Sequence, residues 1–189
     1  DYIGLKHKRV RGNAYDELID EFLVAVHKRF GQNTLVQFED FANSNAFRLL
    51  EKYRHSYLTF NDDIQGTASV AVAGIIASMR IVNTKLSDHK FLFQGAGEAS
   101  IGIANLLCDA MEDEGASRED AISKIWMVDS KGLLTKGRPS GGITEHKEQF
   151  AKDYKHMASL EEICEELRPT AAIGAAAIPG AFTEKFLTD

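Results

Sequence analysis

Acidic side chains in pairs are the residues of this sequence with the most chemistry to offer. Glu39-Asp40 and Asp62-Asp63 each follow a short run of β-branched and aromatic residues, so both pairs fall at the carboxyl ends of expected strands. If those strands are neighbours, four carboxylates crowd one rim of a sheet. Such crowding is costly unless a cation or shared protons relieve it. With oxygen donors and no His or Cys beside them, the acids suit a hard ion, Mg²⁺ or Mn²⁺, with water or substrate in the remaining octahedral positions. Spacing leaves a second reading open, in which Asp62 or Asp63 caps a helix starting at Ile64.

A second constellation is Phe91-Leu92-Phe93-Gln94-Gly95-Ala96-Gly97-Glu98-Ala99-Ser100, an apolar strand running into Gly-x-Gly-x-x-Ser and a helix. Gly95 serves a tight turn, Gly97 lets backbone approach a pyrophosphate, and the small Ser100 lets helix and strand pack closely. Free N–H groups at the helix start then face the phosphates. A later strand ends in Asp129, a candidate for the ribose hydroxyls, although it lies further on than the roughly 20 residues usual for that acid. A long loop after the first helix is therefore expected. An acid here binds the 2′-hydroxyl of NAD and repels the 2′-phosphate of NADP. Tolerating the phosphate needs a hydroxyl and a cation: Ser130 offers the first, and Lys131, Lys136, Arg138 and Lys147 are candidates for the second. Each of these charges, taken singly, reads better as a solvated loop residue.

The elements that must position these groups follow from periodicity. Asn13 is placed to cap a helix in which Leu18, Phe22, Val26 and Phe30 recur every four residues and which Gly31 stops. Strands are expected over 33–38 and 56–60, with a helix over 42–54 between them and Asn43 as a capping residue at its start. Residues 66–82 read as a helix of small apolar residues packed on all sides; its most apolar part, 68–82, is too short and too rich in small residues to span a bilayer. Strands over 90–94, 124–129 and 170–174 alternate with helices over 99–111 and 159–167, the latter capped by Ser159 and ended by Pro169. This alternation means an α/β fold with a parallel sheet covered on both faces. The stretch 131–155, with its glycines and Pro139, reads as a long surface connection, 109–120 as a charged helix end and loop, and the domain boundary falls near Asn61.

A net charge of −6 over 189 residues and a pI near 5.5 speak against nucleic acid or a membrane surface as the partner. Cys108 and Cys164 each sit in an apolar helical pattern and read as reduced core thiols. His7, His27, His55, His89, His146 and His156 lack ligand spacing and read as surface residues, and Trp126 reads as core. The loop-like opening Asp1-Tyr2-Ile3-Gly4 and the stop after Phe186-Leu187 both read as cuts, so a piece of a longer polypeptide is expected.

Three strings carry a family resemblance: Val36-Gln37-Phe38-Glu39-Asp40-Phe41, Thr59-Phe60-Asn61-Asp62-Asp63-Ile64-Gln65-Gly66-Thr67 and Phe93-Gln94-Gly95-Ala96-Gly97-Glu98-Ala99. Together they resemble the signature segments of malic enzymes, and the likeness runs from Tyr2-Ile3-Gly4-Leu5 and Arg9-Val10-Arg11-Gly12 to Ala175-Ala176-Ala177-Ile178. The resemblance implies a partial Rossmann-type parallel sheet over 62–189, preceded over 1–61 by the end of an α/β substrate and metal domain. It implies Glu39, Asp40 and Asp63 as metal ligands and Asp62 as a supporting catalytic acid. It further implies Gly95, Ala96, Gly97, Glu98 and Ala99 as the pyrophosphate turn, Asp129 as ribose contact, and Asn43 as a cofactor contact rather than a cap. Ser130 and Lys147 match positions that favour NADP over NAD. The implied reaction is oxidative decarboxylation of L-malate to pyruvate and CO₂ with reduction of NADP, assisted by Mg²⁺ or Mn²⁺. An NAD-preferring enzyme and a non-catalytic nucleotide-binding or structural fragment are the alternatives. The family's catalytic Lys and Tyr fall before this segment and its malate-binding asparagines beyond residue 189, so the segment alone is expected to be inactive. A homo-oligomer, dimer or tetramer, and a cytoplasmic or mitochondrial location complete what the likeness implies.

Overall fold

The structure is a computed structural model and describes Gly4 and residues 6–188; the likeness at Tyr2, Ile3 and Leu5 lies outside the described residues. The first helix, α1 (Asn13–Phe30), follows Gly12, whose φ of 73° only glycine adopts without strain. Asn13 is already helical and makes no capping bond, so the expected cap falls to that glycine. The buried face of α1 is Tyr15, Ile19 and Leu23, which pack with Phe38, Leu49 and Tyr53. The four-residue stripe read from the sequence points outward instead, with Leu18, Phe22 and Phe30 more than half exposed. Two cross-links hold the face in place: Tyr53 donates to Asp20 at 2.5 Å and Arg48 to Asp16 at 2.7 Å.

Strands β1 (Val36–Phe38) and β2 (Thr59–Asn61) pair in parallel, with Phe38 opposite Asn61, and α2 (Asn43–Tyr53) makes the crossover. Both strands are shorter than the sequence pattern suggested, and β2 runs one residue further, through Asn61. There the chain enters a wide π-type turn (Asp62–Gly66) that continues into α3 (Thr67–Val82). The side chain of the fully buried Asn61 accepts from the N–H of Ile64 at 2.9 Å, and Gln65 accepts from the N–H of Asn61 at 3.0 Å. This reciprocal pair caps the turn, so the capping role left open for Asp62 or Asp63 belongs to Asn61.

Helix α3 departs from the all-round burial its composition suggested. Ala68 and Val72 are buried, but Val70 is 77% and Ile81 86% exposed, because among the described residues α4 (Glu98–Asp113) covers one side only. Counted from Asp62, the helical run to Val82 is long and apolar enough to cross a membrane by length and composition. Its acidic first turn and its close packing on α4 place it instead against a core: Gly102 of α4 abuts the backbone carbonyl of Ile64 with no room for a Cβ.

The main sheet has the order β5-β4-β3-β6. Its centre is β3 (Phe91–Gln94), flanked in parallel by β4 (Ile125–Asp129) and β6 (Ala171–Gly174), with β5 (Gly132–Leu133) antiparallel at the edge. Alternate residues of β3 feed two cores, as a doubly covered sheet requires. Phe91 and Phe93 pack with Ile101, Leu107 and Cys108 of α4 (Glu98–Asp113). Leu92 packs with Ile163, Cys164 and Leu167 of α7 (Leu160–Leu167) and with Phe186 of α8 (Glu184–Thr188). The two cysteines therefore lie on opposite faces of the sheet, as separate core thiols.

Helix α5 (Arg118–Ser123), capped by Ser117, occupies part of the span read as charged loop. Together α4 and α5 account for the length between the glycine turn and Asp129, where a loop had been expected. The stretch after Asp129 is also more than a surface connection. Leu133, Leu134, Thr135, Phe150 and Ala151 are buried, Thr135 bridges to Lys152, and a single turn, α6 (Glu145–Glu148), carries the outer part of the excursion.

Candidate functional site

Parallel register brings the acids together. Because Phe38 lies opposite Asn61, the residues that follow each strand emerge side by side. Carboxylate oxygens of Glu39, Asp40 and Asp63 lie within 4.8 Å of one another. Asp40 has a left-handed backbone, φ 54°, and its N–H donates to Asp63 at 2.9 Å, which ties the two strand ends together. Asp is one of the few residues that tolerates this conformation. Two oxygens across a hard divalent ion are roughly 4–5 Å apart, so the cluster fits one ion with small side-chain adjustments. The Gln37 amide pulls Glu39 down, but desolvation and the charges of Asp63, Asp62 and Asp40 outweigh it and leave that carboxyl above its ordinary value. Like charges held this close are relieved by a cation or by shared protons. Asp62 stands outside the trio; its carboxylate folds back over Gly66, where a Cβ would collide with it.

The glycine turn faces the same space. Gly95 has φ 117°, and a Cβ there would meet the carbonyl of Ala175 at 2.6 Å, so turn and neighbouring loop both require glycine. A Cβ on Gly97 would touch only Asn43 Oδ1, at 3.7 Å, so this glycine keeps the mouth of the helix open. Ser100 is buried against the strand, as expected. Asn43 makes no cap on its own helix. Its Oδ1 accepts from the N–H of Glu98 at 3.2 Å, so a side chain of α2 reaches the first turn of α4, where a pyrophosphate would contact backbone amides. Burial, with a contribution from Asp63, lifts Glu98 to about 7. This lowers the share of ionised carboxylate facing the turn relative to an ordinary glutamate.

At the far end Asp129 is held by a fork. Arg138, whose side chain is 3% exposed, donates to its two oxygens at 2.8 and 2.9 Å; the N–H of Lys131 adds a bond at 2.9 Å and Lys147 one at 3.4 Å. Burial would raise this carboxyl, but these partners outweigh it and hold it below the usual range. Of the four candidate cations, Arg138 neutralises the acid, Lys147 stands over it, and Lys131 contributes its backbone. Arg138 also donates to the carbonyls of Gly141 and Gly142, fixing the loop that leads to α6.

One open cleft of about 860 Å³ joins these parts. Asp40, Asp63, Asn43, the turn from Gly95 to Ala99, Asp129, Ser130 and Lys147 all line it. Glu39 joins through the acid cluster, and Asp62 lies behind it. The sequence did not single out Phe47 or Thr144, which also line the cleft, nor the loop from Ala175 to Ile178 as a wall; His146, read as a surface residue, is exposed and stands on the cleft rim. Their signal is purely spatial.

Comparison with known proteins identifies the family. A family model described as "Malic enzyme, NAD binding domain" matches residues 64–189, and one described as "Malic enzyme, N-terminal domain" matches residues 1–54. The chain is 63% identical to the NADP-dependent malic enzyme of Columba livia over 188 residues, covering 100% of this chain and 33% of that protein. It is 62% identical to the mitochondrial NADP-dependent malic enzyme of Homo sapiens, over 100% of this chain and 31% of that protein. The chain thus spans about a third of the length of the curated relatives it matches. Among solved structures, the malic enzyme of Entamoeba histolytica superposes with a TM-score of 0.69 at 25% identity, over 90% of this chain and 34% of that one. An NAD-dependent malic enzyme from Thermotoga maritima gives 0.68 at 22% identity, over 88% and 41%, a likeness of fold alone.

Proposed function

The chain belongs to the malic enzyme family, and on that premise we propose that it carries the metal and dinucleotide centre of an NADP-dependent malate oxidoreductase. The reaction is oxidative decarboxylation of L-malate to pyruvate and CO₂. The observation that carries this reading is the opening of the acid cluster and the glycine turn onto one cleft. Glu39, Asp40 and Asp63 would hold Mg²⁺ or Mn²⁺, and the turn at Gly95–Ala99 would hold the pyrophosphate of the cofactor. When bound, the ion supplies Lewis acidity toward malate oxygens and the oxidised dinucleotide supplies the hydride acceptor.

The chain's own residues do the positioning. Asp40 and Asp63, linked through a backbone N–H, fix the ligand cluster at the strand ends. Asn43 and the first turn of α4 offer the polar contacts of a cofactor seat. Asp62, beside the ligands, supports the catalytic groups by charge. Arg138 cancels the charge of Asp129, so that Ser130 and Lys147 meet a 2′-phosphate without a bare carboxylate opposing it. This neutralised acid favours NADP, with NAD as a weaker alternative. Residues 1–61 are assigned to the substrate and metal domain and 62–189 to the dinucleotide domain. The complete protein is assigned as a homo-oligomer, dimer or tetramer, of the cytoplasm with the mitochondrion as the alternative, since relatives at 62% identity include mitochondrial forms; its general base and acid are assigned to parts outside this segment.

Steady-state turnover of the full-length parent protein with malate tests the reading, comparing NADP with NAD and Mn²⁺ with a chelator. Turnover is expected with NADP and Mn²⁺ together. Equal rates in chelator, or a preference for NAD, would overturn it.

A further inference from the structure

The rings of Phe47 and His146 lie face to face, with centroids 4.2 Å apart and planes inclined by 23°. Phe47, on α2, packs against two core clusters, so its ring is a fixed wall. His146 sits on α6, a helix of 4 residues. A helix so short does not hold itself, because one turn cannot offset the cost of nucleation. Its ends are anchored by the partly buried Ile143 before it and the fully buried Phe150 after it. Between those anchors the stack on Phe47 is its tie to α2. The next residue is Lys147, whose ammonium stands 3.4 Å from Asp129.

We propose that His146 is a positioning residue for cofactor selectivity: by stacking on Phe47 it docks α6 against α2 and holds the Lys147 ammonium over Asp129 and Ser130. The proposal rests on the assignment of that end of the cleft to the 2′-phosphate. That phosphate alone distinguishes NADP from NAD, so loosening α6 acts on selectivity rather than on chemistry at the nicotinamide. A ring stack of this kind corresponds to about a 2- to 12-fold change in an equilibrium constant.

The test is steady-state kinetics of the full-length protein with both cofactors. His146→Ala is expected to raise the KM for NADP about 3- to 10-fold and that for NAD by much less, with kcat moving under about 2-fold. His146→Phe, which keeps the stack, restores the NADP value. In a Lys147→Gln background, His146→Ala adds nothing further to the KM for NADP, because there is no ammonium left to place. Equal rises for both cofactors, an effect that persists without Lys147, or failure of His146→Phe to rescue would each overturn the proposal. Lys147→Gln alone separates the two layers. If it leaves the KM ratio unchanged, the 2′-phosphate assignment falls and takes this inference with it. If it shifts the ratio and His146→Ala does not, only the role of His146 falls.

Discussion

Replacing Arg138 with methionine tests how much of the loop after Asp129 depends on one buried ion pair. The guanidinium is 3% exposed and the Asp129 carboxylate 12%, with two parallel bonds at 2.8 and 2.9 Å, so water screens the pair poorly. Removing one partner of a buried pair costs about 3–5 kcal/mol when the other charge is left bare, whereas exposed pairs are worth roughly 0–1 kcal/mol; Asp129 keeps the Lys131 N–H and Lys147, which sets the expectation at the low end of the buried range. Arg138→Met also frees the carbonyls of Gly141 and Gly142, but both lie where water replaces the lost bonds. We therefore expect a loss of about 3 kcal/mol, and a smaller loss when Asp129→Asn is added, since both charges then leave together. The assay is a double-mutant cycle of unfolding free energies. A coupling below about 0.5 kcal/mol would refute the argument, because it would give the pair the energetics of a surface contact. The sign of the pH dependence is a second check. Asp129 titrates below its ordinary value of 3.8 in the folded state. Its contribution is therefore complete above that pH and is lost as pH falls through the folded value. In Arg138→Met this acid limb should flatten.

Other perturbations reach the acid cluster. Glu39→Gln and Asp63→Asn should each weaken Mn²⁺ binding to the full-length protein by at least about 10-fold in a calorimetric titration, since each removes a charged oxygen donor; unchanged affinity would remove those residues from the site. Gly102→Ala drives a methyl into the carbonyl of Ile64, the residue after Asp63. Overpacking of this kind costs about 1–3 kcal/mol, and both the unfolding midpoint and Mn²⁺ affinity should fall. Glu98 is raised from 4.5 to about 7, first by burial and then by Asp63. In metal-free protein, stability should therefore decline as pH rises from about 4.5 through 7. Glu98→Gln should remove that decline, and an unaltered pH profile of the unfolding midpoint would count against the burial of this carboxyl.

Local chemistry was legible in the sequence; relations between distant segments were not. The turn at Gly95–Gly97 shows itself because strand, glycines and helix are contiguous, and the acids show themselves because strand ends are marked by composition. The outward stripe of α1 misled because Leu18, Phe22 and Phe30 satisfy a helical period whichever face is covered, while the face that packs is Tyr15, Ile19 and Leu23. α3 misled in the same way, since apolar composition sets what must eventually be covered, not what covers it. The stretch after Asp129 looked like surface because glycines dominate it, yet Phe150 and Leu134 turn back into the core.

What makes the two constellations one site is a set of contacts no periodicity encodes. Gly102 lies on the carbonyl of Ile64, Asn43 accepts from the N–H of Glu98, and His146 stacks on Phe47. Each joins the segment before Asp63 or the turn that carries it to residues after 90; the second and third line the cleft, and the first lies outside its lining. The first packs the turn after Asp63 on α4, the second links α2 to the first turn of α4, and the third sets α6, which bears Lys147, against Phe47 of α2. A rigid spacing between ion and cofactor requires all three, because a single contact would act as a hinge. Asn43→Ala should therefore alter the relation between metal and cofactor binding more than either binding alone. Mn²⁺ affinity measured with and without NADP in Asn43→Ala would show this as a reduced coupling, and coupling equal to that of the unaltered protein would mean that the geometry of the cleft is set elsewhere.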